Sequence, residues 1–166
     1  MQSGQEKNEA VLLSNFSENF FKVFRNEIEF EIPVKTKIVL GNILYDRLDF
    51  NDGVNFVISD RFLNILVENQ LTGWKTYPVE IDWIDEKFHG FQITGSSGEL
   101  IEPKVQGWYT GYKFDYDSWD GTDFFSPADT HLRFISEKAY RLLTNSRISN
   151  VQFQNILEIE AYAMGK

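Results

Sequence analysis

Hydrophobic and polar residues alternate with two different periods near the start of the chain. Across Phe20–Phe24 the apolar residues return at the spacing of one helix face, and Ser17 is placed to cap that helix. From residue 28 to residue 34 every second residue is apolar, which predicts a strand with one solvent-exposed face, and Pro33 marks its edge or its end. Ile38–Leu40 predicts a further short strand. This part of the chain therefore combines a short helix with strands.

Residues 58–66 recur in similar form as residues 135–143. Both copies begin with Ile-Ser, follow the Ser with an acidic and a basic residue, and end on Leu. Ser59 and Ser136 each stand where a helix N-cap is expected, and the acidic residue after each Ser lies in the first turn, where the helix dipole favours negative charge. The sequence therefore predicts two short, related helices.

Each predicted helix is followed by a polar loop and a strand-like segment, at residues 77–83 in the first copy and 153–159 in the second. The offset that aligns the helices also aligns Asp46 with Asp123, so the correspondence begins before the helices. The predicted strand-helix-strand units are residues 46–83 and residues 123–160. An internal pseudo-repeat of this kind describes a scaffold rather than a reaction.

The segments between the two copies predict further sheet. Residues 88–94 predict a strand, residues 95–98 (Gly-Ser-Ser-Gly) a turn, and residues 104–114 another strand or hairpin arm. No linker divides the chain cleanly. We therefore expect a single α+β domain over residues 1–166, with a mainly antiparallel sheet, two or three short helices packed on it, and a frayed start at residues 1–10.

Composition narrows the class of protein. The 166 residues are 42% hydrophobic and 16% aromatic, enough for one globular domain in which large rings supply much of the core. The absence of Cys excludes disulfides, thiolate metal sites and a Cys nucleophile. The first residues show no secretory signal, and no apolar run approaches the ~20 residues that span a bilayer. We therefore expect a cytoplasmic protein that does not enter a membrane.

The net charge of −9 comes from 25 acidic and 16 basic residues. Nucleic-acid binding needs clustered Lys and Arg, so this charge argues against nucleic acid as a direct ligand. A basic protein is the better-matched partner, because opposite fields speed encounter. Solubility alone also accounts for an acidic surface.

Residues 107–125 hold the densest mixture of acidic and aromatic side chains, with four Asp and eight aromatic residues. The spacing does not match an EF-hand, because Trp119 and Asp120 stand where an oxygen ligand and the required Gly belong, and no Glu closes the loop. The alternatives are a structural strand and turn or a partner surface anchored by aromatic rings beside carboxylates. The candidate partner-binding residues are Tyr112, Asp115, Tyr116, Asp117, Trp119, Asp120 and Asp123.

The common catalytic signatures are missing. The chain has two His residues, His89 and His131, without a second His at ligand spacing, and it has no Gly-x-Ser-x-Gly nucleophile elbow. The Gly-Ser-Ser-Gly run lacks the Gly-Lys-Ser/Thr of a phosphate loop. We therefore assign no catalytic residue, no metal and no cofactor, and we expect a protein that is not an enzyme.

Two segments resemble bacterial immunity-type proteins of polymorphic toxin systems. They are residues 71–79 (Leu-Thr-Gly-Trp-Lys-Thr-Tyr-Pro-Val) and residues 120–125 (Asp-Gly-Thr-Asp-Phe-Phe). The resemblance continues at residues 135–138 (Ile-Ser-Glu-Lys), 150–151 (Asn-Val) and 156–160 (Ile-Leu-Glu-Ile-Glu). It implies a small cytoplasmic protein that binds a cognate toxin and blocks it without catalysis of its own.

Two alternatives of other classes stay open. The first is a small-ligand or carbohydrate-binding module in which Trp108, Tyr112 and Trp119 stack on the ligand from one exposed face. The second is a hydrolase that uses two carboxylates in a cleft, for which no pair of acidic residues is marked by the sequence. The sequence specifies neither the oligomeric state nor the identity of a toxin.

Overall fold

The computed structural model describes residues 1–3, 8–16, 19–101, 103 and 105–164. The predicted cap Ser17 and residue Lys104 lie outside these ranges. The α-helices are α1 (Phe20–Phe24), α2 (Asp60–Glu68) and α3 (Glu137–Asn145). The strands are β1 (Gln2–Ser3), β2 (Val11–Leu12), β3 (Val34–Thr36), β4 (Ile38–Leu40), β5 (Arg47–Asp49), β6 (Phe56–Ser59), β7 (Trp74–Ile81), β8 (Phe88–Ile93), β9 (Gly95–Ser97), β10 (Gly107–Thr110), β11 (Phe124–Pro127), β12 (Phe134–Ile135), β13 (Val151–Gln152) and β14 (Glu160–Ala163).

Antiparallel pairing dominates the largest sheet, whose strands run in the order β3-β7-β8-β6-β5. Within it, only β3 and β7 pair in parallel. A smaller sheet has the order β12-β11-β9, and the pairs β2-β4, β10-β14 and β1-β13 stand apart from both. The α+β class with a mainly antiparallel sheet and short helices is therefore confirmed. No helix in the described ranges is both long enough and apolar enough to cross a membrane.

The pseudo-repeat is present as a β-hairpin followed by a helix. In the first copy β5 and β6 pair with Arg47 opposite Ile58, and in the second β11 and β12 pair with Phe124 opposite Ile135. The offset between the copies is the same in both hairpins and in the helices α2 and α3 that follow them. The scaffold thus uses one supersecondary unit twice.

The predicted helix starts are confirmed at both copies. The Oγ of Ser59 accepts a hydrogen bond from the N–H of Phe62 at 3.1 Å, and the Oγ of Ser136 accepts one from Ala139 at 3.1 Å. Each hydroxyl satisfies a backbone donor that the first helical turn leaves without a partner. The two helices therefore begin for the same physical reason.

Both repeat helices bury their apolar faces in one cluster. Phe62 and Leu66 of α2 lie in it together with Ala139 and Leu143 of α3, and all four side chains are fully buried. Phe91 of β8 packs among them from the large sheet. The helix-following loops are also alike, because each has a left-handed residue two positions after its helix, Gln70 and Arg147, both with a φ of 51°.

Three predicted elements differ from the structure. Residues 28–34 form a strand only from Val34 onward, because the ring of Phe30 instead stacks on Tyr77 with centroids 4.4 Å apart. The alternation therefore reflects a loop that packs Ile28 and Phe30 on the core, while Ile32 is 75% exposed. Residues 153–159 contain the 3₁₀ turn Ile156–Glu158, which Asn155 caps by accepting from Leu157 N–H at 3.0 Å.

The third difference concerns residues 95–98, predicted as a turn. Gly95–Ser97 is strand β9, paired in parallel with β11. Gly95 allows this close approach, since a Cβ there would lie 1.9 Å from the Oγ1 of Thr122. The glycine belongs to sheet packing rather than to a chain reversal.

Two boundaries also shift. The predicted strand at residues 77–83 begins earlier, at Trp74, and ends at Ile81, so Trp83 falls in the turn that follows. The start of the chain is expected to be frayed over residues 1–10, of which residues 4–7 lie outside the described ranges. At its end, Ala10 is fully buried and its N–H donates to the carbonyl of Ile43 at 3.0 Å.

Candidate partner-binding site

The acidic and aromatic segment predicted as a partner surface divides into a packed part and an exposed part. The ring of Tyr112 lies 6.4 Å from that of Phe134, and the ring of Trp119 lies 5.1 Å from that of Phe125. Both side chains are half-buried against an apolar cluster centred on Phe114 and these two phenylalanines. Tyr112 and Trp119 therefore contribute to the stability of the fold.

Asp123 is also part of the scaffold. Its Oδ1 accepts from the hydroxyl of Ser136 at 2.7 Å, and its Oδ2 accepts from the N–H of Thr72 at 3.0 Å. Burial raises the pKa of Asp123, but these hydrogen bonds and the charge of Lys138, 3.5 Å away, outweigh burial and hold the pKa below its usual value. The carboxylate is thus an internal clamp with 7% of the residue exposed.

Asp120 is exposed, yet both of its carboxylate oxygens accept hydrogen bonds from neighbouring backbone N–H groups. Oδ1 accepts from the N–H of Thr122 at 3.0 Å, and Oδ2 accepts from the N–H of Ser96 at 2.7 Å. Burial raises the pKa of Asp120, but the hydrogen bonds from Thr122 and Ser96 lower it by more. The pKa therefore lies below its ordinary value. Asp120 fixes the loop against strand β9.

The exposed part is the 3₁₀ turn Tyr116–Ser118 with its capping residue Asp115. Tyr116 is 69% exposed and is flanked by two exposed carboxylates, Asp115 and Asp117. The turn is held from both sides, because Asp115 Oδ1 accepts from Asp117 N–H at 3.0 Å and Ser118 Oγ accepts from Gly98 N–H at 2.8 Å. We call Asp115, Tyr116 and Asp117 the acidic turn.

No protein-family model matches this chain, and no curated protein matches its sequence. The resemblance to immunity-type proteins stays a prediction.

A second exposed aromatic surface lies on the β10-β14 ribbon. Trp108 is 76% exposed and stands opposite Tyr162, with ring centroids 5.5 Å apart in an edge-to-face arrangement. The hydroxyl of Tyr162 accepts a hydrogen bond from Gln106 Nε2 at 3.0 Å. The sequence did not single out Tyr162, because cross-strand register is visible only once the two strands are paired.

The predicted set of three sugar-stacking rings is not brought to one face. Trp108 is exposed on the ribbon, whereas Tyr112 and Trp119 are half-buried against the phenylalanine cluster. The carbohydrate hypothesis in its predicted form needs all three rings exposed on one face, and two of the three are not exposed.

A cleft with a volume of about 510 Å³ lies beside the first repeat helix. Its lining includes Asp46, whose Oδ2 accepts from both the N–H and the hydroxyl of Ser149 at 2.9 Å and forms an ion pair with Arg61. Asp60, at the rim, contacts the Nε2 of His89 at 2.5 Å. Asp46 is thus tied to its own chain by two hydrogen bonds from Ser149 and the ion pair with Arg61.

The described residues contain no group of three or more His, Asp or Glu side chains positioned to hold a metal ion. The two His residues have different surroundings. His89 pairs with Asp60, and His131 stacks on Phe21 with centroids 4.8 Å apart.

Trp83 is not among the residues predicted to bind a partner, although it is the most exposed large hydrophobic residue described. Its side chain is 99% exposed, and its backbone φ of 66° lies in the left-handed region. Neither Gly nor Asn marks this position as a turn, so the only sequence signal is the density of acidic residues after the strand.

Proposed function

We propose that this chain is a cytoplasmic, non-catalytic binding protein that neutralises a cognate bacterial toxin, and that the acidic turn belongs to the binding surface. The observation that carries the proposal is the exposure of Tyr116 between two exposed carboxylates on a turn whose backbone is held in place. The resemblance to immunity-type proteins and the net charge of −9 support it.

The geometry of the acidic turn suits a hot spot. A tyrosine gives a large contact area at a small cost in side-chain entropy, and its hydroxyl adds a hydrogen-bonding group. The ring of Tyr116 also lies 4.8 Å from that of Phe114, which restrains it before any partner arrives. Binding to a restrained side chain loses less conformational entropy.

The charges of the acidic turn favour a basic partner. Asp115 and Asp117 add two carboxylates to a protein that is already negative overall. An acidic field raises the association rate with a positively charged surface and lowers it with an acidic one. Many toxins that act on nucleic acids must themselves be basic, since phosphate binding needs Lys and Arg.

The test is direct binding to the toxin encoded beside this gene, using a catalytically inactive toxin in calorimetry and the active toxin in a growth-protection assay. The probe variants are Tyr116→Ala and Asp117→Asn, because both side chains are exposed. Matched controls are Tyr140→Ala and Asp129→Asn, which change exposed residues of the same types elsewhere.

We expect a complex with the unmodified protein, a loss of about tenfold or more in affinity for each probe variant, and little change for the controls. Absence of both binding and protection would reject the function. Binding that is equally strong in all four variants would reject the acidic turn as the surface while leaving the function standing.

A further inference from the structure

The turn between β7 and β8 holds Trp83 in a position that does nothing for the stability of the fold. Its side chain is 99% exposed, so its apolar surface stays in water. Its φ of 66° adds a second cost, because the left-handed region crowds the Cβ of a bulky residue. A residue that is unfavourable in both respects points to a contact outside the chain.

The surroundings of Trp83 are acidic. Asp82, Asp85 and Glu86 are all exposed, and Lys87 is the only basic residue in the same turn. Among the described residues, none of these three carboxylates takes part in an ion pair. Their charge is therefore available to a partner of opposite sign.

The same turn borders the cleft beside α2, whose charged lining is mixed. Glu86 and Lys87 line that cleft together with Asp60 and Arg61. The side chain of Asp60 is 53% exposed there, in contact with His89. The exposed indole is therefore accompanied in its own turn by Asp82, Asp85 and Glu86, which we call the acidic rim.

We infer that Trp83 is the anchor of a second contact with the toxin, inserting into an apolar pocket that is rimmed by Lys or Arg side chains. This inference rests on the proposed function, because it takes the toxin as the partner. Tryptophan is the residue type most enriched among interface hot spots, and its ring also attracts cations at its face. The carboxylates of Asp82, Asp85 and Glu86 then meet the basic rim.

The experiment compares Trp83→Ala with Trp108→Ala in surface plasmon resonance against the immobilised, catalytically inactive toxin. Both indoles are exposed, so both variants keep the fold, and unchanged far-ultraviolet dichroism and melting temperature verify this. We expect Trp83→Ala to weaken the affinity by about 30-fold or more, mainly through faster dissociation, and Trp108→Ala by less than threefold.

A charge variant tests the acidic rim. Replacing Asp82 and Asp85 by Asn and Glu86 by Gln is expected to slow association by about tenfold at low salt, and the difference should shrink as salt is added. If the unmodified protein binds and Trp83→Ala binds within threefold of it, the inference is wrong and the proposed function stands. If the unmodified protein does not bind the toxin, the proposed function fails first.

Discussion

Asp46 and Asp123 occupy equivalent positions in the two repeat units, and each carboxylate reaches into the unit that does not contain it. Asp46 Oδ2 accepts from the N–H of Ser149 at 2.9 Å, while Asp123 Oδ2 accepts from the N–H of Thr72 at 3.0 Å. Each also accepts from the N-cap Ser 13 residues later in its own unit, at 2.8 Å and 2.7 Å. Each unit therefore binds the other through an equivalent Asp, as expected when two like units are related by a twofold axis. We call this pair of contacts the reciprocal clamp.

The clamp makes the two N-cap serines equally important for stability. Ser59→Ala and Ser136→Ala each remove one cap and one hydrogen bond to a carboxylate. We expect each to lower the free energy of unfolding by about 2 kcal/mol, measured by urea denaturation.

The matched control for the caps is Ser146→Ala, at the C-cap of α3, where the side chain forms none of the hydrogen bonds described. Its effect should stay within about 0.5 kcal/mol. If the two cap variants behave like this control, the clamp contributes nothing to stability.

The charge of Asp123 gives the clamp a pH dependence of known sign. Because the pKa of Asp123 lies below its usual value in the folded protein, the ionised carboxylate stabilises the fold above the unfolded pKa of about 4, and this stability disappears as the pH falls through the folded pKa. Asp123→Asn should cost roughly 1–3 kcal/mol at pH 7.

The difference between Asp123→Asn and the unmodified protein should stay constant above about pH 5 and shrink as the pH is lowered below 4. Urea denaturation at a series of pH values measures it, with the exposed Asp129→Asn as control. A gap that widens in acid would mean that the sign is wrong.

Local sequence signals were sufficient for the two repeat helices because the start of each is chemically marked. A Ser followed by an acidic residue specifies a helix N-terminus without any tertiary information, and both Ser59 and Ser136 behave as expected. The reciprocal contacts of Asp46 and Asp123 were not predictable, because they join segments 103 and 51 residues apart in the chain.

A glycine in the large sheet offers a sharp test of its packing. Gly90 stands opposite Tyr77 in the β7-β8 ladder, and a Cβ at residue 90 would lie 2.0 Å from the Tyr77 ring. We expect Gly90→Ala to lower the free energy of unfolding by about 3 kcal/mol or more, since both residues are buried in the sheet.

Gly53→Ala separates packing from backbone strain. Gly53 has a φ of 74° with nothing within 4 Å of an added Cβ, so only strain remains and the expected cost is about 1 kcal/mol. Equal losses at the two positions, compared by thermal denaturation, would show that crowding against Tyr77 is absent.

The unusual backbone of Trp83 predicts a gain in stability on substitution. Trp83→Gly relieves a left-handed residue and removes a ring that packs on nothing, so the free energy of unfolding should rise by roughly 0.5–1 kcal/mol. Thermal denaturation at one pH measures this, and a clear loss of stability would mean that the indole has a structural contact.

The acidic and aromatic segment shows where sequence reasoning stops. Its composition cannot separate Tyr116, which is exposed, from Trp119, which packs on Phe125, because each stands next to an Asp in the same polar stretch. Nor can composition show that the carboxylates of Asp120 and Asp123 accept hydrogen bonds from backbone N–H groups within the fold. Exposure is a property of the fold, so only the structure separates the exposed Asp115–Asp117 from the half-buried Tyr112 and Trp119.

The proposed function depends on direct binding between this protein and a toxin. Isothermal titration of the unmodified protein into the catalytically inactive toxin encoded beside its gene measures that binding. We expect a 1:1 complex with a dissociation constant of about 10⁻⁷ M or lower, weakened by Tyr116→Ala. No measurable binding at micromolar concentrations would contradict it.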